Sequence, residues 1–140
     1  MPLLDVLVVD DDVDAARLMT ALLSALGHRS TAVHTGLEAV DVALKVVPHV
    51  VLLDIGLPGM NGYEAAGRIR RESLLDHTLL VAVTGWGRDS DQRAALKAGF
   101  DMHLTKPVDP DTLREVLNWA QVTCETFRTK GTAGPTHPDA

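Results

Sequence analysis

Short runs of β-branched and aliphatic residues alternate with helically spaced ones along most of the chain. Leu3-Leu4-Asp5-Val6-Leu7-Val8-Val9 is short and stopped by three aspartates, which predicts a strand buried on both faces. From about 13 to 26, positions 15, 18, 19, 22, 23 and 26 follow the i, i+3, i+4, i+7 spacing of an amphipathic helix, and Gly27 closes it. Thr31-Ala32-Val33-His34 predicts a weaker, more polar strand suited to a sheet edge. Gly36 to Val46 predicts a second helix with Ala39, Val40, Ala43 and Leu44 on its buried side, stopped by Pro48. His49 to Asp54 is again a buried strand ending in an aspartate, and a loop rich in Gly, Pro and Asn follows from Gly56 to Gly62.

The second half continues the pattern. A third helix is predicted from about Tyr63 to Glu72, and a fourth strand over Leu79-Leu80-Val81-Ala82-Val83-Thr84. Gly85-Trp86-Gly87 turns into a fourth helix from about Ser90 to Ala98, closed by Gly99. Met102-His103-Leu104-Thr105 is the fifth strand, ended by Lys106-Pro107. Pro110 suits the first turn of the last helix, which carries Leu113, Val116, Leu117 and Ala120 to about Phe127. Strands alternating with helices imply an α/β fold: parallel strands joined by right-handed crossovers, in a five-stranded, doubly wound sheet with helices on both faces. Residues 1–127 form one domain in this reading, and 128–140, poor in apolar residues, are expected to be a flexible C-terminal tail.

Composition narrows the classes. Aromatic residues are only 4% of the chain, so the core is built from Leu, Val and Ala. The net charge of −6 gives no electrostatic drive toward nucleic acid or an anionic membrane. The single cysteine, Cys124, cannot form an internal disulfide, and no Cys/His spacing suggests zinc. No apolar stretch approaches the ~18 residues that a membrane span needs. The N-terminus has no basic leader of the kind a signal peptide carries, so a cytoplasmic location is expected.

The candidate chemistry is positional. Strand one runs into Asp10-Asp11-Asp12, strand three ends in Asp54, strand four in Thr84, and strand five runs into Lys106-Pro107. In a parallel sheet these ends share one edge, the edge where ligands bind. Taken singly, each residue has an ordinary reading: an aspartate caps a helix, Thr84 is a β-former, Lys106 is a solvated surface lysine. Taken together they differ, because clustered carboxylates repel unless a cation neutralises them, and carboxylates with open water positions describe a Mg²⁺ site. Thr84 and Lys106 add a neutral donor and a positive charge, a set able to hold a phosphoryl group beside a nucleophilic carboxylate.

From these residues the chain resembles the receiver domain of two-component response regulators, over about residues 3 to 127. The matching pieces are Val8-Val9-Asp10-Asp11, Leu52-Leu53-Asp54 with Leu57-Pro58-Gly59-Met60-Asn61-Gly62, Val83-Thr84-Gly85, and Leu104-Thr105-Lys106-Pro107. The resemblance implies a flavodoxin-like strand order 2-1-3-4-5. It implies that Asp54 accepts a phosphoryl group from a phosphohistidine and that Asp11 ligates Mg²⁺ directly. Asp10 would act near the metal through water, and the carbonyl of Gly56 would be a further ligand. Thr84 and Lys106 would each bind a phosphoryl oxygen, and Lys106-Pro107 would be a cis peptide. Asp12 is an extra acid whose expected job is helix capping. His103 stands where the family usually carries Tyr or Phe as a switch residue paired with Thr84. Trp86 flanks the phosphorylation site. The fourth helix, fifth strand and fifth helix would form a docking face that includes Ala94, Ala95, Ala98 and Val108.

The implied function is a phosphoacceptor signalling domain that takes part in its own phosphoryl transfer and autodephosphorylation, not an enzyme acting on other substrates. Its partners would be a histidine kinase or histidine phosphotransfer protein and a downstream protein, with no nucleic acid and no membrane. The chain would be either a single-domain regulator or a receiver from a longer protein. Two rivals stay open on the residues alone. Asp10-Asp11-Asp12-Val13 also fits the nucleophile motif of haloacid dehalogenase-type phosphatases, which need a later acidic pair that is missing here. A receiver-like binding module that is never phosphorylated is the other.

Overall fold

A computed structural model of the chain describes residues 3–57, 59–85 and 98–131, with side chains as far as residue 123. The elements are β1 (Asp5–Val9), α1 (Val13–Ala25), β2 (Arg29–Val33), α2 (Gly36–Val46), β3 (Val50–Asp54), α3 (Gly62–Arg70), a short 3₁₀ turn (Ser73–Leu75), β4 (Leu79–Thr84), β5 (Met102–Thr105) and α4 (Pro110–Gly131). All strand pairs are parallel, and the order is β2-β1-β3-β4-β5, the flavodoxin-like order expected. The expected helix from Ser90, apart from Ala98, lies outside the described residues, as do Trp86, Gly87, Pro58, Ala94, Ala95 and the tail beyond Gly131.

Strand alternation divides the core in two. Leu7, Val9, Val51, Leu53, Leu80 and Ala82 face α2 and α3, where Ala39, Ala43, Ala65, Ala66 and Ile69 are buried. Val6, Val8, Leu52, Val81, Val83 and Leu104 face α1 and α4, packing on Leu23, Leu113, Val116, Leu117 and Ala120. Every residue of β3 and β4 is buried, as continuous apolar runs require in a sheet covered on both sides. Leu23 and Leu113 bury completely, each contributing about 1.5–3 kcal/mol of transfer free energy.

The helix ends follow local chemistry. Asp12 accepts hydrogen bonds from the backbone N–H groups of Asp14 and Ala15, the capping role expected of it. Thr35 caps α2, Asn61 caps α3, and Asp109 Oδ2 accepts from Thr112 N at 3.1 Å at the start of α4. Gly27 ends α1 with φ +91°, a conformation that favours glycine.

The bounds of β2, α3 and α4 differ from the periodicity. β2 begins at Arg29 rather than Thr31, because it pairs with β1 from Asp5↔Arg29 onward and Arg29 bonds the Asp5 carboxylate at 2.8 Å. It ends at Val33, and His34 turns away, its N–H donating to Glu38 Oε1. α3 starts one residue early, at Gly62, and stops at Arg70 rather than Glu72. α4 runs to Gly131 rather than about Phe127. Among the described residues no helix is long and apolar enough to cross a membrane.

Candidate functional site

Each functional side chain is delivered by the end of a strand. Asp10 follows β1 and is still tied to the sheet, its N–H donating to Val33 O at 3.1 Å. One register step past Val9↔Leu53, it stands beside Asp54, the last residue of β3. Asp10, Asp11 and Asp54 each offer an oxygen, and these oxygens lie within 4.8 Å of one another. Asp10 and Asp54 are nearly buried, at 7% and 9% exposure, while Asp11 is open to solvent.

Lys106 closes the cluster. Its Nζ lies 3.2 Å from Asp10 Oδ2 and 3.3 Å from Asp54 Oδ2, so one ammonium bridges both carboxylates. The Lys106–Pro107 peptide is cis, as expected, and Lys106 N–H donates to Thr84 O at 2.7 Å. Backbone donors take the other oxygens: Asp12 N–H bonds Asp10 Oδ1 at 2.9 Å and Gly56 N–H bonds Asp54 Oδ1 at 3.0 Å.

The electrostatics follow from this packing. Burial, with the Asp10 charge adding to it, raises the Asp54 pKa above its ordinary value even though the Gly56 N–H and Lys106 oppose the rise. Burial alone would weaken the Lys106 ammonium, but the Asp54 and Asp10 carboxylates outweigh it and raise its pKa. Lys106 is therefore a fixed positive charge. Three carboxylates against one ammonium leave two negative charges, which a divalent cation would balance. The side chains offer only hard oxygen ligands, with Asp11 open to solvent, and that donor set fits Mg²⁺ better than a soft metal.

Thr84 and His103 sit on the other face of the sheet. The register Thr84↔Thr105 and Ala82↔His103 puts all four side chains on the α2–α3 side. Thr84 is 6% exposed, and its Oγ1 lies 3.1 Å from His103 Nε2. The predicted site residues thus fall in two sets joined through the backbone at Thr84 and Lys106: Asp10, Asp11, Asp54 and Lys106, and then Thr84 with His103. Gly56 enters the site through its N–H.

Some features carry no motif in the sequence. The His34 ring donates from Nδ1 to the carbonyl of Asp10 at 2.9 Å, holding the acidic turn from β2. Gly62 has no room for a side chain: a Cβ there would stand 2.6 Å from Ile55 Cα and 2.7 Å from Asp54 O. Its N–H donates to Ile55 O at 3.1 Å, so the start of α3 is pressed against the loop that carries Asp54. The run of turn residues hinted at a tight loop there but not at this contact. Beside the carboxylates an apolar groove of about 820 Å³ opens between α1 (Leu18, Met19, Leu22) and the segment Pro107–Pro110. Val108 lines this groove, beside α1.

Comparison with known proteins places the chain. Residues 6–118 match the family model described as the response regulator receiver domain. Over 113 residues the chain is 32% identical to protein PilH of Pseudomonas aeruginosa, covering 81% of this chain and 93% of PilH. It is 35% identical over 113 residues to part of the sensor histidine kinase RcsC of Salmonella typhimurium, covering 80% of this chain and 12% of that protein. The solved receiver domain of a Pseudomonas aeruginosa sensor histidine kinase, with a magnesium ion coordinated in its active-site cleft, superposes with a TM-score of 0.79. That match has 29% identity and covers 86% of this chain and 99% of the other.

Proposed function

The chain belongs to the response regulator receiver domain family of two-component signalling, and on that premise we propose that Asp54 is its phosphoacceptor. In this reading an Asp54 carboxylate oxygen attacks the phosphorus of a phosphohistidine. The O–P bond forms as the P–N bond breaks, and the released imidazole takes up a proton from water. Hydrolysis of the resulting acyl phosphate returns Asp54 and inorganic phosphate, so the domain takes part in its own dephosphorylation.

The observation that carries this reading is Lys106, whose Nζ is 3.3 Å from Asp54 and 3.2 Å from Asp10. It fixes a positive charge where a phosphoryl oxygen on Asp54 would need one. Asp10, Asp11, Asp54 and the carbonyl of Gly56 would hold Mg²⁺, which when bound supplies charge neutralisation for the transferring phosphoryl group. Gly56 N–H holds one Asp54 oxygen, which orients the carboxylate. Thr84 would donate to another phosphoryl oxygen, and with His103 it would carry the change to partner surfaces.

We take residues 1–127 as the receiver domain, with α4 carrying on past that boundary to Gly131. The phosphoryl donor would be a histidine kinase or a histidine phosphotransfer protein, and the relation to segments of sensor kinases supports that class. A downstream protein would read the phosphorylated state in the cytoplasm, without nucleic acid or membrane. Asp54 sharing Lys106 with Asp10 favours this reading over the phosphatase alternative, in which Asp54 has no task.

The test is incubation with acetyl phosphate and Mg²⁺ followed by intact-mass analysis. A single phosphoryl adduct that maps to Asp54 is expected. An unmodified wild-type chain would leave the non-phosphorylated binding module as the reading.

A further inference from the structure

We infer that His103 is a positioning residue for Thr84: its Nε2–H donates to Thr84 Oγ1 and leaves the hydroxyl's own proton for a phosphoryl oxygen on Asp54. The inference rests on the proposed phosphorylation of Asp54 and names what aims the Thr84 hydroxyl.

The register of the last two strands sets up the contact. Ala82 pairs with His103 and Thr84 with Thr105, so His103 and Thr84 are diagonal neighbours on one face. Opposite His103 the strand carries only the methyl group of Ala82, which leaves the imidazole room to lean along the sheet toward Thr84. Nε2 arrives 3.1 Å from Thr84 Oγ1, while Thr105 Oγ1 is more distant at 3.5 Å. Thr84 is 6% exposed, so protein groups rather than bulk water set the direction of its hydroxyl.

Proton counting then fixes the roles. A hydroxyl has one proton and two lone pairs, and a phosphoryl oxygen only accepts. When Thr84 bonds a phosphoryl oxygen, its single proton goes there. His103 keeps its bond to the same hydroxyl only as the donor. The side chain at this position therefore acts through an N–H, not through the volume of a ring. Phe would supply the ring without the N–H, and Gln would supply an amide N–H at comparable reach without the ring.

The experiment uses the full chain in Mg²⁺, with beryllofluoride as the phosphoryl stand-in. Imidazole ¹⁵N–¹H correlation spectra should show His103 Nε2 protonated in the complex; an Nε2 without a proton overturns the inference. Beryllofluoride affinity should fall about tenfold in His103→Phe, the scale of one lost hydrogen bond. It should return to within about twofold of wild type in His103→Gln. The double variant with Thr84→Val should bind no more weakly than Thr84→Val alone. A His103→Phe variant that binds like wild type, or effects that add in the double variant, would overturn it while leaving the Asp54 reading intact. A wild-type chain that forms neither the beryllofluoride complex nor an Asp54 adduct overturns the phosphorylation reading itself and the phosphoryl half of this inference with it.

Discussion

Asp54 is nearly buried, carries a backbone N–H and an ammonium on its oxygens, and still holds its proton more tightly than an ordinary aspartate. Desolvation and the neighbouring Asp10 charge outweigh the donors, which makes the site costly when no cation is bound. The residues around it hold it in place by contact as well as by these charged and polar bonds. Gly62 is the clearest case, since α3 begins against the Asp54 loop with no space for a methyl group. Gly62→Ala should lower stability by about 1–3 kcal/mol, the usual range for overpacking, in urea unfolding monitored by circular dichroism. A variant that unfolds at the wild-type midpoint would mean that the loop yields at no cost.

At the scale of elements, two helix and strand ends carry testable strain or charge. α2 ends at Val47, which adopts φ 48° although it is β-branched and not glycine. Val47→Gly should stabilise the protein by roughly 1 kcal/mol, because that conformation costs about that much for an L side chain and glycine adopts it freely. Equal or lower stability would count against strain at this turn. Behind β1, His28 Nδ1 accepts the Leu4 N–H at 3.1 Å, and burial lowers the His28 pKa below its ordinary 6.5. The unfolded chain then binds the proton more readily than the folded one. This contribution is fully present above about pH 6.5 and is lost as the pH falls from there through the folded value. The fall in unfolding free energy from pH 7 to pH 5 should be smaller in His28→Gln than in wild type; equal falls would remove His28 as a source.

Elements were also what the sequence made most legible. Buried strands announce themselves by run length, and Asp, Thr and Lys at their ends locate the carboxylate site, because parallel strands put those ends on one edge. The start of β2 was hidden, since Arg29 and Ser30 look like loop residues until Asp5 is seen across the ladder. The bond from His103 to Thr84 and the one from His34 to the Asp10 carbonyl were hidden for a related reason. Both depend on the register of neighbouring strands, which no local pattern encodes. The resemblance already set His103 beside Thr84 as a switch pair, but the hydrogen bond between them emerged only from the pairing of β4 with β5.

For the whole molecule, the carboxylate cluster links metal binding to stability. A raised Asp54 pKa means that the folded state binds the proton more tightly than the unfolded one, so stability falls as the pH rises through the ordinary value of 3.8 toward neutrality. In EDTA at pH 7, Asp54→Asn should therefore melt higher than wild type. Millimolar Mg²⁺ should raise the wild-type melting temperature by binding the native state only, and should do so less in Asp11→Asn. Asp12→Asn should respond to Mg²⁺ like wild type, since Asp12 serves as a helix cap and Asn caps equally well. A wild-type melting curve indifferent to Mg²⁺ would remove the metal from the account.

The central claim is that the strand ends assemble a phosphoacceptor around Asp54. It is tested most directly by intact-mass and peptide mapping of the full chain after exposure to acetyl phosphate and Mg²⁺, beside Asp54→Asn under the same conditions. The account predicts one phosphoryl group on the wild-type chain, located on Asp54, and none on the variant, because an amide is a poor nucleophile there. A variant that takes up phosphate at the wild-type rate, or a wild-type adduct on another residue, would contradict it.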